Sequence, residues 1–136
     1  MKKFLLIAGV VTVLCGAGWC VKAWMVWTAN ARTSKLREDF DNLFVGLQEY
    51  KKRVGAYPIG SNVDVARSLN GENPKNVFIM VNRKAESNSK GEIVDPWGTA
   101  LRFYFSADGV LIRSAGPNRT FDDSTSMNFD DFIRSN

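Results

Sequence analysis

The side chains best equipped for chemistry in this chain are carboxylates, with Asp122, Asp123, Asp130 and Asp131 crowded into one stretch near the C-terminus. Two carboxylates can act as acid and base, or as acid and nucleophile, when they flank one bond. Adjacent residues on an extended segment point to opposite sides, so Asp130 and Asp131 are expected to be solvated surface groups rather than a catalytic pair. The chain contains no histidine, which removes the commonest general base near neutral pH, the usual nucleophilic triads and most zinc sites. Cys15 and Cys20 both lie in an apolar N-terminal stretch, so the rest of the chain has no thiol chemistry and no disulfide, and cysteine usage does not indicate a compartment. Trp97 could serve as a ligand platform, although a buried aromatic beneath a turn is the expectation there. With no nucleophile and base in view, the chain is expected not to be an enzyme.

These groups must be carried by a small body. The chain has 136 residues, 18 of them Lys or Arg and 14 Asp or Glu. Once the N-terminal segment is set aside there is room for one domain. Without Lys2, Lys3 and Lys22, fifteen basic residues face fourteen acidic ones. A nucleic-acid binder needs a basic face that displaces counterions from phosphate, and the only basic cluster, Lys51-Lys52-Arg53, reads as a solvated helix end. No nucleic-acid partner is expected.

Residues 4–21 carry no charge, and after Lys22 the run Ala23-Trp24-Met25-Val26-Trp27 is apolar again. A bilayer core of about 30 Å takes about 20 helical residues, and Lys22 can snorkel from near one end. Trp19, Trp24 and Trp27 then fall at the far interface, where indoles sit well. A cleavable signal is the competing reading, since Met1-Lys2-Lys3 is a basic start and Ala29-Asn30-Ala31 has the small-x-small form of a cleavage site. The apolar stretch is longer and richer in Trp than an ordinary signal, so residues 1–28 are expected to be a transmembrane anchor and residues 29–136 an extracytoplasmic domain. Lys2 and Lys3 favour a cytoplasmic N-terminus, against Arg32, Lys35 and Arg37 on the other flank.

Residues 31–54 contain no proline, and Leu36, Phe40, Leu43, Phe44, Leu47, Tyr50 and Val54 recur at steps of three and four. That spacing makes one apolar stripe on an amphipathic helix, opposite Arg37, Asp41, Gln48, Lys51 and Lys52. Nothing between Trp27 and Leu36 breaks a helix. Gly55 followed by Tyr57-Pro58 ends it. A short helix is predicted over residues 62–69, capped by Asn62 or Ser61, with Val63, Ala66 and Leu69 on one side. Asn70-Gly71-Glu72-Asn73-Pro74 reads as a turn, residues 77–81 as a short apolar run of either type, and residues 85–91 as a polar loop. Residues 101–105 and 110–114 read as strands joined through Ala107-Asp108-Gly109, where Asp-Gly would supply the positive φ of a tight hairpin. Beyond Ala115-Gly116-Pro117 the tail reads as an acidic loop.

In this order of elements, specific residues resemble the major pseudopilins of type II secretion and their pilin-like relatives. Tyr50 with Gly55-Ala56-Tyr57-Pro58 is similar to the family's G-x-Y-P segment after the long helix, and Asp95-Pro96-Trp97-Gly98 to its D-P-W-G before the hairpin. Asp108-Gly109 and Ser114-Ala115-Gly116-Pro117-Asn118 fall where the family has its turn and its S-x-G-x-D-G loop. Each motif alone is ordinary turn chemistry; their order over residues 50–123 carries the resemblance. It implies an α+β, pilin-like fold, a long N-terminal helix (transmembrane, then amphipathic) packed on a small antiparallel sheet. The implied setting is the bacterial inner membrane, with the domain in the periplasm. The implied partners are the lipid bilayer and other pilin-like subunits or secretion-system membrane proteins.

The N-terminus departs from that family. Prepilins carry a Gly before a Phe and a Glu four residues later, whereas here Phe4 follows Lys3 and no acidic residue precedes Glu38. This favours a permanently anchored, pilin-derived protein that contacts a secretion or pilus assembly without polymerising.

In the pseudopilins the loop after the hairpin holds calcium through Asp side chains and backbone carbonyls. The resemblance therefore implies a candidate calcium site at Asn118, Asp122, Asp123 and the carbonyl of Ala115, hard oxygen donors of the kind calcium takes six to eight of. Asn118 stands where the family has Asp, and Arg119-Thr120-Phe121 replaces a glycine-rich stretch, changes that should weaken binding. The expected function is a structural or accessory subunit of a type II secretion or type IV pilus-like assembly. A membrane-tethered binding module that does not polymerise is the alternative, and an envelope hydrolase ranks last.

Overall fold

The computed structural model describes the backbone of residues 2–80, 86–127 and 129–135, with side chains from residue 24 onward. Contacts divide the chain into two units, Met1–Ser34 and Lys35–Asn136. The expected anchor, residues 1–28, lies largely outside the residues whose side chains are described. Among the described residues, no helix is long and apolar enough to cross a membrane.

Helix α1, Lys2–Val54, spans 53 residues. In the second unit it buries Leu36, Phe40, Leu43, Leu47 and Tyr50, with Phe44 and Val54 half-buried beside them. This is the stripe that the three- and four-residue spacing dictates. The helix stops at Gly55, whose φ of 106° suits a residue without a Cβ and whose N–H donates to the Lys51 carbonyl at 2.8 Å. Lys75 Nζ adds a bond of 2.7 Å to the Arg53 carbonyl, satisfying another acceptor that the last turn leaves open. Of the basic triplet, Lys52 is solvated, but Lys51 Nζ donates to the Ala107 carbonyl at 2.9 Å and lies 4.9 Å from the Tyr57 ring centroid. Lys51 thus ties the helix end to the hairpin tip.

Helix α2, Asn62–Leu69, begins with Ser61 as N-cap in a reciprocal capping box with Asp64. The Ser61 hydroxyl and N–H, both bonded to the Asp64 carboxylate, hold it below its usual range. The helix buries Val65, Ala66 and Leu69; Val63, expected on that side, is only half-buried. Asn62 does not cap. Its amide donates to the carbonyls of Ile93 and Leu101 at 2.9 and 2.7 Å and accepts from the Ile93 N–H at 2.6 Å, so it joins α2 to the segment leading into the sheet.

The sheet is an antiparallel meander in the order β1-β2-β3, with β1 at Arg102–Phe105, β2 at Val110–Ser114 and β3 at Phe132–Ser135. β2 is central and buries Val110, Ile112 and Ser114, of which Val110 and Ile112 join the α1 stripe in one core. A long helix with a small antiparallel sheet is an α+β fold. Two expectations need correction. The hairpin forms, but neither Asp108 nor Gly109 has positive φ. Ala107 and Asp108 make the bend, and Ser106 closes it by donating its N–H to the Gly109 carbonyl and accepting the Gly109 N–H on its hydroxyl, both at 2.9 Å. The acidic tail does not stay a loop to its end. Phe132 pairs with Ser114 and Ile133 with Arg113, and Phe132 stacks on Trp97 with centroids 5.9 Å apart. Packing from β2 and Trp97 makes a strand of a stretch whose second half, Arg134-Ser135, is polar. Of the apolar run expected over residues 77–81, residues 77–80 form neither a helix nor a regular strand, and Val81 lies outside the described residues.

Candidate functional site

Two of the recognisable motifs meet at Asp95. Its Oδ1 accepts the N–H groups of Trp97 at 3.0 Å and Thr99 at 2.9 Å, and its Oδ2 accepts the Ser114 hydroxyl at 2.7 Å. Ser114 Oγ in turn accepts the Gly116 N–H at 3.1 Å. One buried carboxylate thus folds the Asp95-Pro96-Trp97-Gly98 turn and pins it to the end of β2. Trp97 lies 8% exposed beneath that turn, as core rather than as an open ligand platform.

Beyond β2 the chain turns at Gly116 (φ 67°), where any Cβ would collide with the Asp130 carbonyl oxygen. A glycine there lets the stretch before β3 press against the loop that follows β2. The consequence is a cluster: Asp122, Asp130 and Asp131 each offer a carboxylate oxygen, and these oxygens lie within 4.8 Å of one another. Asp131 is fully buried at its side chain and pairs with Arg113. The Arg113 guanidinium also donates to the Asp122 carbonyl, and Asp131 Oδ1 accepts the Asp122 N–H at 3.2 Å. Asp130 Oδ2 accepts the Asn118 N–H at 3.2 Å, while its Oδ1 is buried with no hydrogen-bond partner.

The residues singled out from sequence are placed as follows. Asn118 lies at the cluster, donating its side-chain amide to Asp122 Oδ2 at 2.8 Å. Asp122 belongs to the cluster, and Ala115 is fully buried between Ser114 and Gly116. Asp123 is not one of the three converging carboxylates; its Oδ1 accepts from Ser124 Oγ at 3.4 Å and the Thr125 N–H at 3.3 Å. Asp130 and Asp131 do not point apart. Alternation holds only within a strand, these two precede β3, and Arg113 draws the Asp131 carboxylate inward. Asp130, Asp131 and Arg113 are the members that spacing did not reveal, because only the unforeseen β3 brings that stretch back beside β2.

Chemically the cluster is a set of hard oxygen donors with one resident guanidinium, which suits a hard cation. Within it the buried Asp130 Oδ1 is the carboxylate oxygen left without a hydrogen-bond partner. A second charged feature lies nearby. Phe121 carries the Arg102 guanidinium over its face at 3.8 Å from the ring centroid, with Arg113 at 5.5 Å. The chain matches no family model, no curated protein and no solved structure.

Proposed function

We propose that this chain is a membrane-anchored, pilin-like structural or accessory subunit of a type II secretion or type IV pilus-like assembly. The observation that carries the reading is the exposure of four consecutive apolar residues on α1: Trp24 at 64%, Met25 at 56%, Val26 at 60% and Trp27 at 69%. Successive helical residues point about 100° apart, so this stretch is apolar around its whole circumference. A helix of that kind belongs in lipid or against other helices. The uncharged residues 4–21 precede it, and indoles favour the membrane interface.

The second unit supports the same reading. Its stripe from Leu36 to Val54, the turn built on Asp95 and the loop beginning at Ser114 are the parts that resemble the pseudopilins. Assembly needs no active site; it needs a membrane reservoir and exposed surfaces that neighbours can cover. Val45, 67% exposed on the outward side of α1, is one such position. The domain stands on the periplasmic side of the bacterial inner membrane with the N-terminus in the cytoplasm. Its partners are the bilayer and other pilin-like subunits or secretion-system membrane proteins.

Calcium is part of the proposal. Asp122, Asp130 and Asp131, beside Asn118, would hold it, and the ion would balance carboxylate charge that Arg113 alone leaves in excess. Alkaline extraction of native membranes tests the anchor: the protein should stay with the bilayer pellet, and release into the soluble fraction contradicts the proposal.

A further inference from the structure

Among the described residues β1 pairs only with β2, and its other edge borders an open groove of about 450 Å³, within the usual size of ligand clefts, about 300–1,000 Å³. Every residue of the stretch 99–104 lines it. A groove lying on one face of a strand touches alternate side chains, so unbroken lining places this one along the edge. Ser61 and Asn62, at the start of α2, border it from the other side.

The hydrogen-bond phase leaves that edge open. Ser106 donates to the Gly109 carbonyl at 2.9 Å, which makes this a hydrogen-bonded pair, and such pairs alternate along an antiparallel ladder. Tyr104 with Leu111 and Arg102 with Arg113 are then the next bonded pairs in the register. The backbone N–H and C=O of Phe103 therefore point outward, into the groove. Leu101, by contrast, is covered, since its N–H reaches the Ile93 carbonyl at 2.9 Å and its own carbonyl takes the Asn62 amide at 2.7 Å.

Arg102 and Glu92 both line the groove, but Glu92 Oε2 already accepts the Asn88 side-chain amide at 2.7 Å. Among the described residues Arg102 has no carboxylate partner, and its guanidinium carbon sits over Phe121, 3.8 Å from the ring centroid. Contact with the ring holds the guanidinium in place while its N–H groups stay unpaired among the described residues, and an Arg fork of that kind suits a carboxylate. Tyr104, 49% exposed, stands on the same face two residues on, so an added strand would meet a cation and then an aromatic at its own two-residue period.

We propose that the β1 edge groove binds an extended acidic peptide segment of a partner protein by strand addition, with Phe103 supplying the backbone bonds and Arg102 holding the peptide carboxylate. This goes beyond membrane attachment and does not depend on it.

The test uses full-length protein in lipid nanodiscs, panned against a phage-displayed library of random linear octapeptides, with the selected peptide then synthesised. Expected are enrichment of Asp or Glu among selected sequences, at least tenfold weaker binding to Arg102→Ala with a smaller loss for Arg102→Lys, and slowed amide exchange at Phe103 in the complex. Replacing the peptide's acidic residue by its amide should weaken binding comparably, a readout that does not rely on a protein variant folding. The proposal is overturned by selected peptides without acidic enrichment, by equal binding to both Arg102 variants, by protection that maps away from β1, or by absence of binders. Self-association that Arg102→Ala abolishes, without peptide binding, would reassign the edge to a second copy of the chain.

Discussion

Asp95 and Asp131 are both buried carboxylates, 4% and 9% exposed, yet they are held in opposite ways. Neutral donors surround Asp95: two backbone N–H groups and the Ser114 hydroxyl. Such a site is complete in itself and fixes the geometry of the turn. Asp131 is held by the Arg113 guanidinium and has two further carboxylates within reach, so its region remains short of positive charge. Two carboxylates of similar burial thus differ in kind, one closing a structural knot among neutral donors and the other paired with a cation beside two further carboxylates.

The comparison breaks first at Asp95. Asp95→Ala orphans three donors around a buried site, each worth about 1–3 kcal/mol when left unmade. Thermal unfolding followed by near-UV circular dichroism should show a loss of about 4 kcal/mol that calcium does not restore. Arg113→Ala should cost about 3 kcal/mol, because it strands a buried carboxylate without its partner. Here the two regions should diverge, since added calcium is expected to recover much of that loss. In the unaltered protein the effect is smaller: melting should move upward with calcium and downward with chelator, by about 2.7 kcal/mol at a hundredfold excess over the dissociation constant. Superimposed curves would remove calcium from the account.

The smallest effect concerns a third carboxylate, outside both regions. Asp64 is held below its usual range by the Ser61 hydroxyl and N–H. A depressed folded-state pKa stabilises above the unfolded value and is lost as pH falls through the folded value. Acid titration should therefore weaken α2 below the ordinary Asp range, and Asp64→Asn should flatten that part of the pH profile while leaving stability near neutrality dependent on the remaining Ser61 cap.

The helices were legible in sequence because their causes are local. Periodic apolar residues with Gly55 behind them define the domain part of α1, and Ser61, one of the two cap candidates, defines the start of α2. The hairpin was legible for a partly mistaken reason: Asp-Gly marked the right place, but Ser106 closes the turn without positive φ. β3 was not legible, since a strand with two polar residues of four depends on Ser114 and Trp97, partners far away in the chain. The same cause hid two of the three carboxylates of the cluster. Asn118 and Asp122 were visible in the loop, whereas Asp130 and Asp131 join them only because β3 returns beside β2. Arg113 gave no signal at all, since an arginine in a predicted strand reads as an outward-facing polar residue.

The central claim is that this domain works by contact with an envelope assembly, and the most direct test is site-specific photo-cross-linking in the native cell from a probe replacing Val45. The account predicts adducts with another pilin-like subunit or a secretion-system membrane protein, lost when the probe is moved to the buried position of Leu47. Absence of adducts from position 45, or adducts only with proteins that belong to no such assembly, would contradict it.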